Sequence, residues 1–215
     1  MIKSIVFDLD ETILDRTKSI ERFISYQHNK LVELGNSIDF MDYKNRFMYL
    51  DNNGYTWKDK VYGCLIEEFE IKGITMEKLL EDYVQNFNKF VCAIPNLYKV
   101  LDFLKNKDIK MGIITNGNTN FQMRNIEALH IKDYFDVILI SEKEGMKKPQ
   151  PEIFIKALDI LKIESSYSLF IGDHFENDIK GATNIGMKAL LFDRKNNNTE
   201  YRDRIENLMD ITKLI

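Results

Sequence analysis

Four times along this chain a short apolar run stops at polar or acidic residues, and this pattern limits the possible folds more than any other feature of the sequence. Ile5, Val6 and Phe7 lead into Asp8-Leu9-Asp10, and Lys110 to Thr115 stops at Asn116-Gly117. Val137 to Ile140 stops at Ser141-Glu142, and Ser168 to Ile171 stops at Gly172-Asp173. Apolar runs without alternation mark strands covered on both faces, as in a parallel sheet. Each run delivers polar residues at its carboxyl end. Lys188 to Phe192 reads as a further strand, followed by an exposed loop at Asn196 to Asn198 and a short C-terminal element.

Helical signals separate the strands: Leu97 to Lys105 after Pro95, Asn120 to Leu129, Pro151 to Leu161 and Glu176 to Asn184. Strand and helix in alternation predict an α/β fold, a doubly wound parallel sheet. Residues 15–93 break the rhythm. They contain no clear strand and read as several amphipathic helices parted at Gly35-Asn36, Asn52-Asn53-Gly54 and Lys72-Gly73. The expected organisation is therefore a core of residues 1–14 and 94–215, with a helical insertion of residues 15–93 after the first strand. Ligands of open parallel sheets bind beyond the carboxyl ends of the strands, so an insertion leaving from that edge reads as a lid. No internal repeat is present.

With 215 residues, 44% of them hydrophobic, the chain can bury one good core and a small second one. The balance of 30 basic and 34 acidic side chains gives a net charge of -4, which offers no general attraction to nucleic acid or an anionic membrane. Cys64 and Cys92 have neither metal-binding nor redox spacing and read as reduced thiols. The apolar stretch at the N-terminus is short and broken by carboxylates, so neither a signal peptide nor a membrane span is expected. A soluble cytoplasmic protein, monomeric or homodimeric, is the expectation.

Asp8 and Asp10 stand two residues apart, so in a continuing strand their carboxylates face the same way. One carboxylate can attack phosphorus while its neighbour protonates the leaving oxygen and then activates water. Alone, such a pair is more often a solvated turn or a helix cap. Its context changes that reading. Asp8-Leu9-Asp10-Glu11-Thr12 after an apolar strand resembles the first motif, D-x-D-x-T, of the haloacid dehalogenase superfamily, most of whose members are phosphatases. Three further strings match in order: Thr115 before Asn116-Gly117; Lys148-Pro149-Gln150-Pro151-Glu152-Ile153-Phe154; and Gly172-Asp173-His174-Phe175-Glu176-Asn177-Asp178.

The resemblance implies a Rossmann-like core with a helical C1 cap and a phosphatase working through an aspartyl phosphate on Asp8, with Asp10 as acid/base. It implies that Thr115 and Asn116 donate to the phosphate and that Lys148 supplies positive charge beside Asp8. It implies magnesium, bound through the side chains of Asp8 and Asp173 and the backbone carbonyl of Asp10, with Asp178 and Asn177 in supporting positions. Asp178 would orient Lys148 or a metal-bound water. Related dehalogenases lack an aspartate at the position of Asp10, so its presence favours a small-molecule phosphate as substrate, with a sugar phosphomutase or a catalytically silent binding module as the alternatives. A phosphorylated response-regulator switch would carry its reactive aspartate on the third strand, which here ends in Ser141-Glu142. Within the insertion, Arg16, Arg22, Arg46, Tyr55, Trp57 and Lys58 are candidates for leaving-group contacts, although such residues are more often surface charges or core aromatics. His174 follows an expected metal ligand and is a weaker candidate for phosphate contact.

Overall fold

The computed structural model describes residues 1–194, 196 and 201–215. Its elements run, in chain order, β1 (Ser4–Phe7), α1 (Arg16–Glu33), α2 (Phe40–Asp51), α3 (Lys58–Glu68), α4 (Met76–Asn86), α5 (Leu97–Asn106), β2 (Lys110–Thr115), α6 (Thr119–Ala128) and β3 (Val137–Ile140). There follow α7 (Ser141–Glu144), α8 (Pro151–Leu161), β4 (Ser168–Gly172), a π-helical segment (Phe175–Lys180), the single turn α9 (Gly181–Thr183), β5 (Lys188–Phe192) and β6 (Arg204–Ile205). A 3-10 segment at Leu208–Lys213 ends the chain. No helix among the described residues is long and apolar enough to cross a membrane.

The chain divides into two compact units, one of residues 1–16 and 92–215, the other of residues 17–91. In the first unit the six strands form one parallel sheet in the order β3-β2-β1-β4-β5-β6. The α/β doubly wound architecture read from the apolar runs is the one observed. The order reverses at β1 and β4, where Phe7 pairs with Ile113 on one side and Ile171 on the other. A crevice opens at the carboxyl ends of strands wherever the winding reverses in this way. The polar tips of β1, β2 and β4 therefore converge on one place.

Packing explains why these runs are uninterrupted. Val6, Ile114, Leu139, Phe154, Phe170, Ile179 and Leu191 belong to one buried cluster, in which the Phe154 and Phe170 rings meet edge to face with centroids 5.2 Å apart. Burying each such side chain contributes roughly 1.5–3 kcal/mol. Helix α8 starts at Pro151, whose missing N–H costs nothing at a helix N-terminus, and buries Ile153, Phe154, Ala157, Leu158 and Leu161.

Two elements differ from the sequence expectation. The helix expected over Glu176 to Asn184 is instead a π-helical segment running into one α turn. Its Asp178 carboxylate turns inward to take the backbone N–H of His174 at 3.0 Å, and such widened turns recur where a side chain must be aimed. The C-terminal element contains a sixth strand, β6, held to β5 by the pairs Leu191 with Arg204 and Phe192 with Ile205. Of the loop expected at Asn196 to Asn198, only Asn196 lies within the described residues, and it is exposed.

The second unit is the four-helix insertion α1 to α4. Asp39 caps α2 by accepting from Met41 N and Asp42 N at 2.8 and 3.0 Å, and Thr75 caps α4. Its core is aromatic: Phe23 meets Tyr83 and Phe90 edge to face, and Phe47 meets Tyr62. Gln27 lies buried among these rings with its polar atoms matched, donating to the Leu79 carbonyl and accepting from the Tyr62 hydroxyl. The chain passes between the units at Leu14 and Ala93, which pair as an antiparallel bridge, reinforced by Asp15 N to the Cys92 carbonyl at 2.8 Å.

Candidate active site

Beyond Phe7 the chain stays in register for one more residue, Asp8 N donating to the Ile171 carbonyl at 2.8 Å. It then folds tightly back, with Leu9 O accepting from Ile13 N and Leu14 N, and Glu11 takes a left-handed conformation with φ 59°. Asp8 and Asp10 are thereby fixed at the tip of β1. Lys148 lies on the approach to α8 and is almost fully buried. Its Nζ stands 2.5 Å from Asp8 Oδ1 and 2.7 Å from Asp178 Oδ1. Burial alone would lower the ammonium pKa, but Asp178 and Asp8 outweigh it and hold Lys148 above the usual lysine range.

Asp178 uses its other oxygen for the His174 N–H, so its carboxylate links the β4 loop to the lysine. Gly172 makes room for it. A Cβ on residue 172 would lie 2.3 Å from Asp178 Oδ2, so no larger residue fits there while the carboxylate keeps its place. His174 acts locally, its Nδ1 accepting the backbone N–H of Asn177 at 3.1 Å as the cap of the π-helical segment.

Oxygens of Asp8, Asp173 and Asp178 all lie within 4.8 Å of one another. Burial, with this crowding added to it, raises two of these acids. Burial first, with the charges of Asp178 and Asp10 adding to it against the opposing pull of Lys148, pushes Asp8 up to about 7. Burial, followed by the Asp8 and Asp178 charges, pushes Asp173 up to about 9. Asp8 and Asp173, two hard oxygen donors whose ionised forms are penalised by burial and by neighbouring carboxylates, fit a divalent cation such as magnesium.

Thr115 ends β2 fully buried, and Asn116 follows it. The Asn116 amide holds Lys148 by its backbone, Nδ2 donating to Lys148 O at 3.0 Å and Oδ1 accepting from Lys148 N at 2.9 Å. Glu142, at the tip of β3, fastens the loop beyond by accepting from Asn118 Nδ2 and Thr119 N, both at 2.7 Å. One residue absent from the sequence-based set joins the group: Gln122, buried in α6, whose Nε2 lies 2.7 Å from Asp10 Oδ2 and 3.0 Å from Thr115 Oγ1. Nothing local in the sequence marks it, because both partners belong to other elements.

In the insertion, Lys58 forms a buried ion pair with Asp51, which makes it part of that unit's core. Arg46 holds Glu68 through two charge-assisted bonds, while Tyr55 and Trp57 are exposed. Arg22 lines a cleft of about 530 Å³ with Glu21, Ser25, Lys89 and Phe90.

Comparison with known proteins extends the geometry. The family model "Haloacid dehalogenase-like hydrolase" matches residues 5–192. The glyceraldehyde 3-phosphate phosphatase of Pyrococcus abyssi is 32% identical over 196 residues, covering 89% of this chain and 82% of that protein. The pyrimidine 5'-nucleotidase YjjG of Escherichia coli is 31% identical over 95% of this chain and 89% of its own. Among solved structures, the HAD phosphatase of Thermococcus onnurineus superposes with a TM-score of 0.68 at 25% identity, covering 99% and 97% of the two chains. The HAD-hydrolase YfnB of Bacillus subtilis shares the fold with a TM-score of 0.78 at 22% identity, over 99% and 98% of the chains. From the tip of β1 to the end of β5, then, sequence pattern and fold agree, and the chain belongs to the haloacid dehalogenase-like hydrolases.

Proposed function

We propose that this chain is a magnesium-dependent phosphatase that hydrolyses a small-molecule phosphomonoester through a phosphorylated Asp8. The observation that carries this reading is the different setting of two neighbouring carboxylates. Asp8 is bound to Lys148, whereas Asp10 is turned to the neutral amide of Gln122. Carboxylates held in unlike environments suit unlike roles, one as nucleophile and one as proton carrier.

In the first step an Asp8 oxygen forms a bond to phosphorus as the bond from phosphorus to the ester oxygen breaks, and Asp10 gives its proton to that oxygen. Water then attacks the acyl phosphate, Asp10 takes its proton, and orthophosphate leaves as the Asp8 carboxylate is restored. Lys148 offsets the repulsion between the attacking carboxylate and the phosphate dianion. The Thr115 hydroxyl donates to a phosphoryl oxygen. The side chains of Asp8 and Asp173 and the carbonyl of Asp10 would hold the cation, with Asp178 orienting Lys148. Bound there, magnesium supplies the positive charge that lets several anions share one site.

Residues 17–91, inserted directly after the Asp8 and Asp10 turn and free of the matched motifs, act in this reading as a C1 cap that selects the leaving group. The test is orthophosphate release from glyceraldehyde 3-phosphate, pyrimidine nucleoside monophosphates, sugar phosphates and phosphoglycolate, with magnesium and with excess chelator. Activity on at least one ester, lost on chelation, is expected, and Arg22→Ala should rescale the esters unequally. Equal turnover in chelator would remove the metal, and phosphoryl transfer to a sugar without orthophosphate release would make the chain a mutase.

The raised acids give a test independent of turnover. In the metal-free protein Asp8 and Asp173 hold their protons to about 7 and about 9, against 3.8 for the unperturbed group, so in that window the folded state binds more protons than the unfolded one. Their contribution to stability therefore falls as pH rises through the window. Magnesium competes with those protons. It should raise the melting temperature more at about pH 8.5 than at about pH 5. Equal increments at both would separate these carboxylates from the metal.

A further inference from the structure

Gln122 belongs to none of the four motifs, yet its side chain joins two of them. Only 3% exposed, it donates from Nε2 to Asp10 Oδ2 at 2.7 Å and to Thr115 Oγ1 at 3.0 Å, with the Asn116 carbonyl at 3.4 Å. Asn125, on the same helix, donates Nδ2 to Gln122 Oε1 at 3.3 Å. The Oδ1 of Asn125 has no partner among the described residues, so the pair of amides is oriented from the Asp10 end. Turning the Gln122 amide over would set its oxygen against a carboxylate and a carbonyl. Gly117, at φ 150°, runs close along the stem, where a Cβ would stand 3.1 Å from Gln122 Cγ. Backbone and neighbour together hold the amide in one pose.

An amide NH2 only donates. An Asp10 oxygen that accepts from it is disfavoured as the carrier of a carboxylic proton, so protonated Asp10 carries its hydrogen on Oδ1, the oxygen turned away from Gln122. The same logic acts on Thr115. With one lone pair of Oγ1 occupied by Gln122, the hydroxyl hydrogen points elsewhere. One buried amide thus touches both the acid and the Thr115 hydroxyl, which itself has the Asn116 carbonyl at 3.5 Å as an acceptor.

We propose that Gln122 is a positioning residue for proton transfer, setting which oxygen of Asp10 delivers the proton to the leaving group. The proposal rests on the phosphatase reading above. It predicts a dependence on the leaving group that a purely structural role would not produce. An alkyl phosphate needs its departing oxygen protonated, whereas dinitrophenyl phosphate departs without help.

Gln122→Met removes the donors at similar volume, and Gln122→Leu, which also lacks donors and adds no charge, serves as a second variant if the first does not fold. With the intact chain and magnesium, kcat/KM for the alkyl ester should fall by about 10²-fold and for dinitrophenyl phosphate by less than about tenfold. In an Asp10→Asn background the same change should cost the alkyl ester less than about tenfold, because the group it positions has gone. Equal losses on both esters, or full additivity with Asp10→Asn, overturn the inference while leaving the phosphatase reading intact. A wild-type chain inactive on both esters overturns that reading and the inference with it.

Discussion

Asp8→Asn is expected to lower phosphatase turnover by on the order of 10⁴-fold or more, the scale on which loss of a catalytic nucleophile is felt. Asparagine keeps the shape of the side chain and the strand register, which depends on the backbone bond from Asp8 N to the Ile171 carbonyl. In the proposed mechanism it removes the charge that attacks phosphorus. The fold should not suffer, because Asp8 is one of three carboxylates with oxygens within 4.8 Å of one another, and its charge is among the causes that push Asp173 upward. Lys148 keeps Asp178 as its partner at 2.7 Å. The metal-free variant should therefore melt no lower than the parent at neutral pH, and its response to magnesium should shrink. Rapid acid quench during turnover of a labelled ester, followed by peptide mapping, should place the phosphoryl group on Asp8 in the parent and nowhere in the variant. Near-parental turnover in Asp8→Asn, with reversion to aspartate excluded by mass spectrometry, would end the covalent mechanism.

How far the sequence reveals this site depends on how local each signal is. Strands β1 to β5 are legible because a strand buried on both faces must be apolar throughout, and the polar residue that ends it announces the carboxyl edge. Asp8, Thr115 and Asp173 stand at such edges. Lys148 and Asp178 are legible only through the motif strings, since what joins them to Asp8 is a contact spanning 140 residues of chain between Asp8 and Lys148. Gln122 is illegible: a glutamine in the first turn of an amphipathic helix reads as surface, and only the folded chain brings it to Asp10. Asn116 is legible as part of the site, yet its amide grips the Lys148 backbone, so its contribution passes through the lysine's position. Strand β6 escapes because two residues carry no period. Lys58 misleads for the opposite reason: a lysine beside Trp57 suggests an exposed contact, but its partner Asp51 is buried with it.

Lys148→Ala should lower kcat/KM for every ester by on the order of 10²–10³-fold, because in the proposed mechanism the lysine acts on the phosphoryl group, which all substrates share. Its Nζ stands between Asp8 and Asp178 in a site where it is 3% exposed. Removing one member of a buried ion cluster typically costs about 3–5 kcal/mol, because the partners are left uncompensated. Here the cost should fall at the lower end of that range, since Asp8 can take up a proton more readily than an ordinary carboxylate. Protonation that relieves the fold also disarms Asp8 as the proposed nucleophile. Lys148→Arg should not restore activity: a planar fork cannot replace a compact ammonium reaching two carboxylates on either side. Magnesium offsets the same charges as Lys148, so the magnesium-induced rise in melting temperature should be larger in Lys148→Ala than in the parent. A variant that spares most of the ester panel would show that the lysine serves one leaving group. One that loses activity with an unchanged magnesium response would show that lysine and cation do not share the same carboxylates.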